Sequence, residues 1–416
     1  MLKAVLNAFR SPELRKKILF TFAILAIYRF GTFVPIPGAN SHDIEGAIGS
    51  QGAANVLQFL NLFSGGALTR FSVFALGIMP YITASIVIQL MTVVIPSLES
   101  LQKEGEAGQA KITQYTRYLT VVLAFLQSFA YVLFFRSVGG LQDVNAGRFY
   151  LIVISLTAGT VLVMWLGELI TQRGIGNGIS LMIFASIVAS IPAGLRHWWQ
   201  LEPVTKIIVG VIALAVVVGV VFVNEGQRRI PIQYAKRVVG RKMTQGGTTY
   251  MPLRVNMAGV IPVIFASSIV ILPSLMATLI GGSFFKRLGE LLGTNSWFFI
   301  IFQAILIILF TYFYTAVQFN PVDQAENLKK YGGFIPGVRP GRPTAVYLDR
   351  VMTRLTLPGA VYLAAVASLP SIVFKYLPGV NFTIGGTSLL IVVGVAIDTM
   401  RQLEAQLIQR QYGGFL

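Results

Sequence analysis

The 416-residue chain contains no cysteine and only two histidines, His42 and His197. The lack of cysteine excludes disulfides, thiolate metal sites and a cysteine nucleophile. Neither the H-E-x-x-H zinc motif nor the G-x-S-x-G nucleophile elbow occurs. Gly174, Gly176 and Gly178 repeat part of a dinucleotide fingerprint, but they follow an apolar helical segment instead of a strand. The sequence therefore predicts no catalytic residues, no metal site and no cofactor.

Charge is also scarce, since charged residues make up 12% of the chain and apolar residues 55%. A soluble domain carries about 25% charged residues, so most of this surface must face lipid. The net charge of +17 would indicate nucleic acid in a soluble protein, whereas in a membrane protein it indicates basic cytoplasmic loops. We therefore expect an integral membrane protein that binds membrane lipid and does not bind DNA.

A membrane-spanning helix needs roughly 20 apolar residues. Ten segments qualify, at 18–34, 71–95, 118–135, 149–170, 175–194, 205–223, 255–280, 297–319, 355–374 and 384–400. All should be helices, because lipid cannot satisfy open backbone groups. The first segment leads into Pro35-Ile36-Pro37-Gly38 without a small-residue cleavage site, so we interpret it as a retained span and not as a signal peptide.

The basic residues orient these spans. With the N-terminus inside, cytoplasmic segments hold 24 of the 33 Lys and Arg residues, so both termini should be cytoplasmic. Arg29 lies within the first span, and we expect it to extend towards the outer interface. Five spans in residues 1–194 precede an outer hinge loop at 195–204, and five follow in residues 205–416. The odd number allows an inverted repeat of two halves.

Three segments are unusual for simple spans. Residues 53–66 are apolar but too short to cross, and they could form either a re-entrant segment or an amphipathic surface helix. Spans two and seven each combine a proline, Pro80 or Pro262, with scattered polar residues. One interpretation is that the proline kinks the helix and that the span faces protein or a cavity. The other is that these residues serve the close packing of helices through small side chains.

Acidic residues are missing from the middle of every span. Glu168 and Asp398 lie at cytoplasmic ends, whereas ion-coupled carriers commonly place ionisable groups at the midplane. A ten-helix secondary transporter of a small solute is therefore the weaker alternative. The cytoplasmic loops 224–254 and 320–354 are long and basic, which indicates a docking surface for a partner, although such charge also fixes topology.

Six segments carry a resemblance to a known family. They are GIMPYITASIVIQLM at 77–91, LGELITQRGIGNGISLMIF at 166–184, NMAGVIPVIFASS at 256–268, GFIPGVRPG at 333–341, RVMTRLTL at 350–357 and IGGTSLLIVV at 384–393. Over essentially its whole length the chain resembles the SecY family, the central channel subunits of bacterial Sec protein translocases. The resemblance implies an all-α membrane protein with ten helices in two inverted halves, in the cytoplasmic membrane. It also implies lateral release of signal sequences and membrane segments into lipid.

The resemblance also implies site residues. A pore ring corresponds to Ile78, Ile82, Ile179, Ile183, Ile264 and Ile391. Segment 53–66 corresponds to a plug, with Asn55, Leu57, Phe59, Leu60, Phe63, Gly65 and Gly66. Polar candidates at a lateral gate between spans two and seven are Thr83, Ser85, Gln89, Gln127, Asn256, Ser267 and Ser268. Docking candidates in the two long loops are Arg237, Arg241, Lys242, Arg339 and Arg342.

The expected partners follow from the same resemblance. They are the small membrane subunits SecE and SecG, the SecA motor ATPase, the ribosome, and secretory precursors with their signal peptides. No nucleotide-binding motif is present in the chain, so the energy for transport has to come from a partner or from the membrane potential.

Overall fold

The computed structural model describes residues 11–37, 61–137, 141, 145–234, 237–239, 242–244, 247–280, 296–376 and 386–413, in some short stretches by their backbone only. The helices of these residues are α1 Pro12–Gly31, α2 Met79–Val94, α3 Pro96–Lys103, α4 Glu106–Ser137, α5 Ala146–Arg173, α6 Gly178–Gln200, α7 Pro203–Glu225, α8 Ile261–Ile280, α9 Trp297–Gln318, α10 Pro321–Lys330, α11 Arg342–Tyr376 and α12 Gly386–Gly413. The strands are β1 Gln227–Tyr234, β2 Arg237–Val239, β3 Lys242–Thr244, β4 Thr248–Arg254 and β5 Gly333–Phe334.

Each of the ten predicted spans coincides with a long helix. Within the described residues, six helices are long and apolar enough to cross a membrane alone, and α2 with α3 forms a seventh candidate bent by 100°. The other three are α1, α8 and α12. Helix α1 begins with a cluster of basic residues, and α12 carries Asp398, Arg401 and Glu404. These two helices are therefore less uniformly apolar along their length. The described protein is thus a mostly helical membrane protein.

The two halves repeat the same arrangement of neighbours. In the first half α2 packs on α4, α4 on α5, α5 on α6, and α1 on α6. In the second half α8 packs on α9, α9 on α11, α11 on α12, and α7 on α12. These are equivalent pairs when the helices of each half are counted from its first span. Between the halves, α8 contacts α2 and α4 on one side, and α12 contacts α6 on another.

The repeat is visible at the starts of α2 and α8. Gly77 and Gly259 both have positive φ, of 57° and 64°, and each lies two residues before its helix begins. Pro80 and Pro262 then occupy the second position of α2 and α8. Proline suits the first turn because its missing N–H has no partner there. The expected kinks at these prolines are therefore wrong: each proline starts its helix, and residues 71–78 form turns.

Two boundaries differ from the predicted loops. Helix α6 continues through most of the expected outer loop at 195–204, so only residues 201 and 202 connect it to α7. Trp198 holds this junction, because its indole Nε1 donates to the Lys206 carbonyl at 3.1 Å. At the other end of α2, α3 turns away from it by 100°. Within α3, Lys103 and Glu99 form an ion pair of 2.7 Å, and the hydrogen bond from Lys103 to Glu99 raises the pKa of Lys103. Helix α4 follows almost directly.

The two long loops that were predicted to be cytoplasmic form one folded unit, called the cytoplasmic unit below. Strands β1 and β4 pair antiparallel over seven residue pairs, and β5 from the second loop adds to the other edge of β1. The inward side chains of this sheet and of α11 form a buried apolar cluster that includes Ile230, Leu253, Ile335 and Leu348. The exposed face of β1 carries basic side chains. The sheet is therefore anchored by its core to the first part of α11.

Candidate functional site

Isoleucines from both halves belong to one large buried apolar cluster. Five of the six predicted ring residues are buried in one apolar cluster, and the sixth packs against it. The buried five are Ile78 and Ile82 at the start of α2, Ile183 of α6, Ile264 of α8 and Ile391 of α12. Their exposed fractions lie between 0 and 6%, so their side chains are closed off from solvent within the part of the chain that the structure describes.

Close backbone approaches position the ring on the first half. A Cβ on Gly178 would lie 1.9 Å from the Gly167 carbonyl oxygen, so α5 and α6 touch where only glycine fits. A Cβ on Gly167 would be 3.4 Å from a carbon of Ile179 and 3.7 Å from one of Ile78. Asn177 caps α6, with Oδ1 accepting from the Ile179 amide at 3.1 Å. These contacts fix the side chain of Ile179 beside that of Ile78.

The second half contains a comparable close contact. A Cβ on Gly394 of α12 would lie 2.5 Å from Cγ1 of Val260, directly before α8. Ile264 follows one turn into α8, and Ile391 precedes Gly394 by nearly one turn. The approach of α12 to the start of α8 therefore brings these two isoleucines into the common cluster.

The end of segment 53–66 covers this cluster. Asn55, Leu57, Phe59 and Leu60 lie outside the described residues. Phe63 is 2% exposed and belongs to the same apolar cluster as the ring. Gly65 and Gly66 adopt φ of 66° and 84°, and the Gly66 amide donates to the Asn61 carbonyl at 2.9 Å. These left-handed glycines end the helical residues 61–63 and reverse the chain.

Arg29, which we expected to extend towards the outer interface, has a specific partner within the protein. Its Nη1 donates to the carbonyl oxygen of Gly65, and its guanidinium lies 5.1 Å from the centre of the Phe33 ring. The preceding residue, Tyr28, bonds Ser186 of α6 at 2.7 Å between the two hydroxyls, and both residues are buried. Helix α1 therefore contacts the predicted plug and α6 together.

Three of the seven polar residues predicted at the gate form hydrogen bonds within their own helices. Thr83 donates to the Met79 carbonyl at 3.0 Å, and Ser267 and Ser268 donate to carbonyls one turn earlier in α8, each at 2.8 Å. Ser85, Gln89 and Gln127 are half-buried. Helices α2 and α8 do contact each other, as do α4 and α8. Among the described residues, no hydrogen bond links α2 to α8.

Asn256 is placed at the cytoplasmic end of the second half. Its Nδ2 donates to Oδ1 of Asn224 at 2.9 Å and to the Gly259 carbonyl at 3.1 Å. Arg401 of α12 donates to the Asn224 carbonyl at 2.9 Å and pairs with Glu225 at 2.9 Å. This polar cluster joins the end of α7, the start of α8 and α12. Asn256 therefore bonds α7 in this conformation.

The predicted docking residues lie on the cytoplasmic unit. Arg339 and Arg342 are exposed, and the Arg339 carbonyl accepts from Thr344 Oγ1 at 2.8 Å at the start of α11. Arg237 and Lys242 fall in the short paired strands β2 and β3, which are described by their backbone only. Arg241 lies outside the described residues. Exposed Arg228 and Arg229 of β1 add to the basic surface.

Sequence reasoning missed the partners of Arg29, Tyr28 and Asn224. An arginine inside an apolar span is a signal of a functional site in its own right, so Arg29 could have been given a protein partner. Tyr28 and Asn224 offered no comparable signal, because their partners lie far away in the chain. The described residues contain no group of His, Asp and Glu suited to a metal ion.

The fold and site together define a class of protein. Among the described residues, two sets of five spans share a buried apolar cluster that includes Phe63, and a folded unit with exposed basic residues is built from the two long loops. This arrangement is that of a gated membrane channel and not that of an enzyme. Comparison with known proteins identifies which channel family it is.

The chain belongs to the SecY family, whose model matches residues 72–400. It is 50% identical to the protein translocase subunit SecY of Streptomyces galbus over 448 aligned positions, and 49% identical to that of Mycobacterium bovis over 446. Both alignments cover all of each chain. The chain is thus a subunit of a protein-conducting channel, and no comparison supports a small-solute transporter.

Solved structures agree on the fold. One described as the structure of a protein conducting channel superposes with a TM-score of 0.64, at 18% identity over 94% of this chain and 92% of that one. Sec61 in a canine ribosome–channel complex gives a TM-score of 0.61, also at 18% identity, over the same shares of the two chains. At these identities the likeness shows the architecture alone.

Proposed function

We propose that unfolded secretory polypeptides cross the cytoplasmic membrane through the isoleucine ring, and that signal sequences and membrane segments leave sideways between α2 and α8. The observation that supports this proposal is the burial of Ile78, Ile82, Ile183, Ile264 and Ile391, from four helices of both halves, in one apolar cluster. A ring of bulky apolar side chains excludes water and ions by dewetting. It offers a passing chain no lasting hydrogen bonds.

Residues 53–66 act as the plug in this proposal. Phe63 supports this role, because it packs into the same cluster as the ring. The positive φ of Gly65 and Gly66 allows the chain to reverse at the end of the plug. Displacement of the segment towards the outside would uncover the constriction for a translocating chain.

The lateral opening is assigned to the contact of α2 with α8, flanked by α4. It is supported by the adjacency of these helices across the two halves. Thr83, Ser85, Gln89, Gln127, Ser267 and Ser268 line or flank these helices, and Asn256 holds the start of α8 to α7. The junction at 195–204 between residues 1–194 and 205–416 acts as the hinge about which the halves separate.

The energy for transport comes from partners that dock on the cytoplasmic unit. Arg237, Arg241, Lys242, Arg339 and Arg342 contribute to a basic surface suited to the ribosome and to SecA. The resemblance to a channel in a ribosome complex supports the ribosome as one partner. We further propose that the small subunits SecE and SecG complete the complex, and that both termini are cytoplasmic.

The proposal is tested by disulfide trapping, which the cysteine-free chain makes simple. Cysteine is placed singly at Ile82, which is 5% exposed in the cluster, or at Phe22 of α1, which is 62% exposed. The complex with its small subunits and motor ATPase is reconstituted, and a precursor carrying one cysteine in its mature region is stalled during transport. After oxidation, we expect an ATP-dependent and signal-dependent cross-link at Ile82 and none at Phe22.

Cysteines at Ile183 and Ile264 serve as independent positions in the same ring. If none of the three positions cross-links while an otherwise identical channel without cysteine transports the precursor normally, the ring is not the path of the chain. Equal cross-linking at Phe22 would instead show that the precursor contacts the protein from the lipid side.

A further inference from the structure

We propose that Arg29 is a positioning residue that holds the plug closed by binding the backbone of its terminal turn. The inference rests on the proposed function for the role of the plug, but the contact itself is independent of it. Charged side chains inside membrane spans are rare and usually have a specific partner. For Arg29 that partner is the carbonyl oxygen of Gly65.

The turn at Gly65 fits closely between two helices. A Cβ on this residue would lie 3.0 Å from Nη1 of Arg29 and 3.3 Å from the backbone of Ser186 on α6. The residue also has a φ of +66°. Glycine is therefore favoured at this position, because other residues rarely adopt this φ and because a side chain would crowd Arg29 and Ser186. The turn is thus held on one side by α1 and on the other by α6.

Helix α1 provides a fixed support for this contact. Tyr28 stacks on Phe74 with ring centres 5.9 Å apart and bonds Ser186 through its hydroxyl. The backbone next to Arg29 therefore cannot move without breaking buried contacts with α6. When the plug moves, the bond from the Arg29 guanidinium to Gly65 is the interaction that has to break.

The strength of the bond suits a reversible closure. Within the described residues, no carboxylate forms an ion pair with Arg29. The guanidinium groups of Arg29 and Arg70 both contact the Phe33 ring, at 5.1 and 4.1 Å from its centre. Two like charges therefore lie close together. A charged hydrogen bond to a neutral carbonyl is strong enough to bias a conformation and weaker than a buried ion pair.

The test measures how often the plug turn opens in the resting complex. Ser64 is 2% exposed, and its replacement by cysteine changes a single atom. The rate at which a membrane-impermeant maleimide, added from the outer side, labels Ser64→Cys then reports opening without precursor or ATP. Loss of a charged hydrogen bond corresponds to about a tenfold to hundredfold shift in such an equilibrium. We therefore expect Arg29→Met to accelerate labelling by about tenfold or more.

Two further variants separate the bond from general loosening. Arg29→Gln keeps an amide donor without the charge, and we expect an intermediate rate. Tyr28→Phe removes the hydroxyl bond to Ser186 but keeps the aromatic ring stacked on Phe74 and the bond from Arg29 to Gly65, so we expect a smaller acceleration than with Arg29→Met. A second readout is transport of a precursor with a defective signal sequence, which should increase with Arg29→Met.

An unchanged labelling rate in Arg29→Met would overturn the proposal, as would equal acceleration by Tyr28→Phe. Should Arg29→Met fail to assemble, Arg29→Gln and Arg29→Lys decide the matter by the same measurement. Because labelling is measured at rest, its outcome does not depend on the cross-link at Ile82. Failure of the closure by Arg29 and failure of the proposed pore are therefore distinguishable.

Discussion

Replacement of Gly159 by alanine should disturb the packing beside the ring although Gly159 lies outside it. A Cβ on this residue of α5 would be 2.0 Å from the Val73 carbonyl oxygen and 2.8 Å from its carbonyl carbon. To reach ordinary contact distance, the helix or the turn has to move by about 1.4 Å. Val73 is not free to retreat, because its amide donates to the Val34 carbonyl at 3.0 Å. Ile78 follows five residues later.

The expected magnitude comes from opposing effects. Overpacking of this kind typically destabilises by about 1–3 kcal/mol, and a strained backbone hydrogen bond adds up to about 1 kcal/mol. Alanine in place of glycine within a helix contributes about 0.5–1 kcal/mol in the opposite direction. We expect a net loss of about 1–3 kcal/mol, together with a raised ion leak as Ile78 shifts.

The control is Gly147→Ala in the same helix. No atom lies within 4 Å of the Cβ that this substitution adds, so only the favourable helix effect remains. The measurement is the thermal unfolding midpoint of the purified complex in lipid nanodiscs, with ion conductance in planar bilayers. We expect Gly159→Ala to unfold several degrees below Gly147→Ala. Equal midpoints and equal conductance for the two variants would refute the reasoning.

Two other predictions concern the ring and an ion pair. Ile183→Thr puts a hydroxyl into the proposed constriction and should raise resting ion conductance, because a polar side chain lowers the cost of wetting. The control Ile154→Thr changes a side chain that is 61% exposed and should leave the conductance unchanged. Equal conductance of the two variants would argue against the ring as the seal. Arg117 and Glu168 form a 2.7 Å pair whose side chains are 41% and 13% exposed. Because the arginine is partly solvated, the Arg117→Met and Glu168→Gln double-mutant cycle should give a coupling of about 1–2 kcal/mol, measured by unfolding; a value near zero would contradict this.

Much of the fold was predictable because lipid imposes strict requirements on the sequence. Spans need uninterrupted apolar length and an internally bonded backbone, so all ten helices are recognisable from residue type alone. The short connection between the fourth and fifth predicted spans was also predictable, but its position was not exact: α5 continues to Arg173, and the connection lies at 174–177. The structure adds that Asn177 caps the following helix.

The precise starts of α2 and α8 were not predictable from hydropathy. Residues 71–78 are as apolar as a span, yet they form buried turns that pack against α5. The signal was present in the repeated spacing from Gly77 to Pro80 and from Gly259 to Pro262. A left-handed glycine followed by proline in the first turn marks a helix start, whereas proline within an apolar run had suggested a kink.

The site was predictable in its residue types and not in its contacts. The burial of Ile82 and Ile391 in one cluster depends on how the two halves pack, and a single sequence does not specify that packing. The same holds for the bond from Arg29 to Gly65 and for that from Asn256 to Asn224. Hydrophobic periodicity shows which face of a helix is buried, but it does not identify the neighbour.

The hydroxyls of Thr83, Ser267 and Ser268 have a consequence for the energetics of lateral opening. Each proton is already bonded to a carbonyl of its own helix, so α2 and α8 can part without breaking these bonds or exposing an unpaired donor to hydrocarbon. Apolar contact between helices has no hydrophobic advantage in lipid. Separation therefore replaces the apolar neighbour of each helix by another apolar neighbour. An inserting helix of sufficient apolar length can thus take the place of α2 or α8 as that neighbour at little energetic cost.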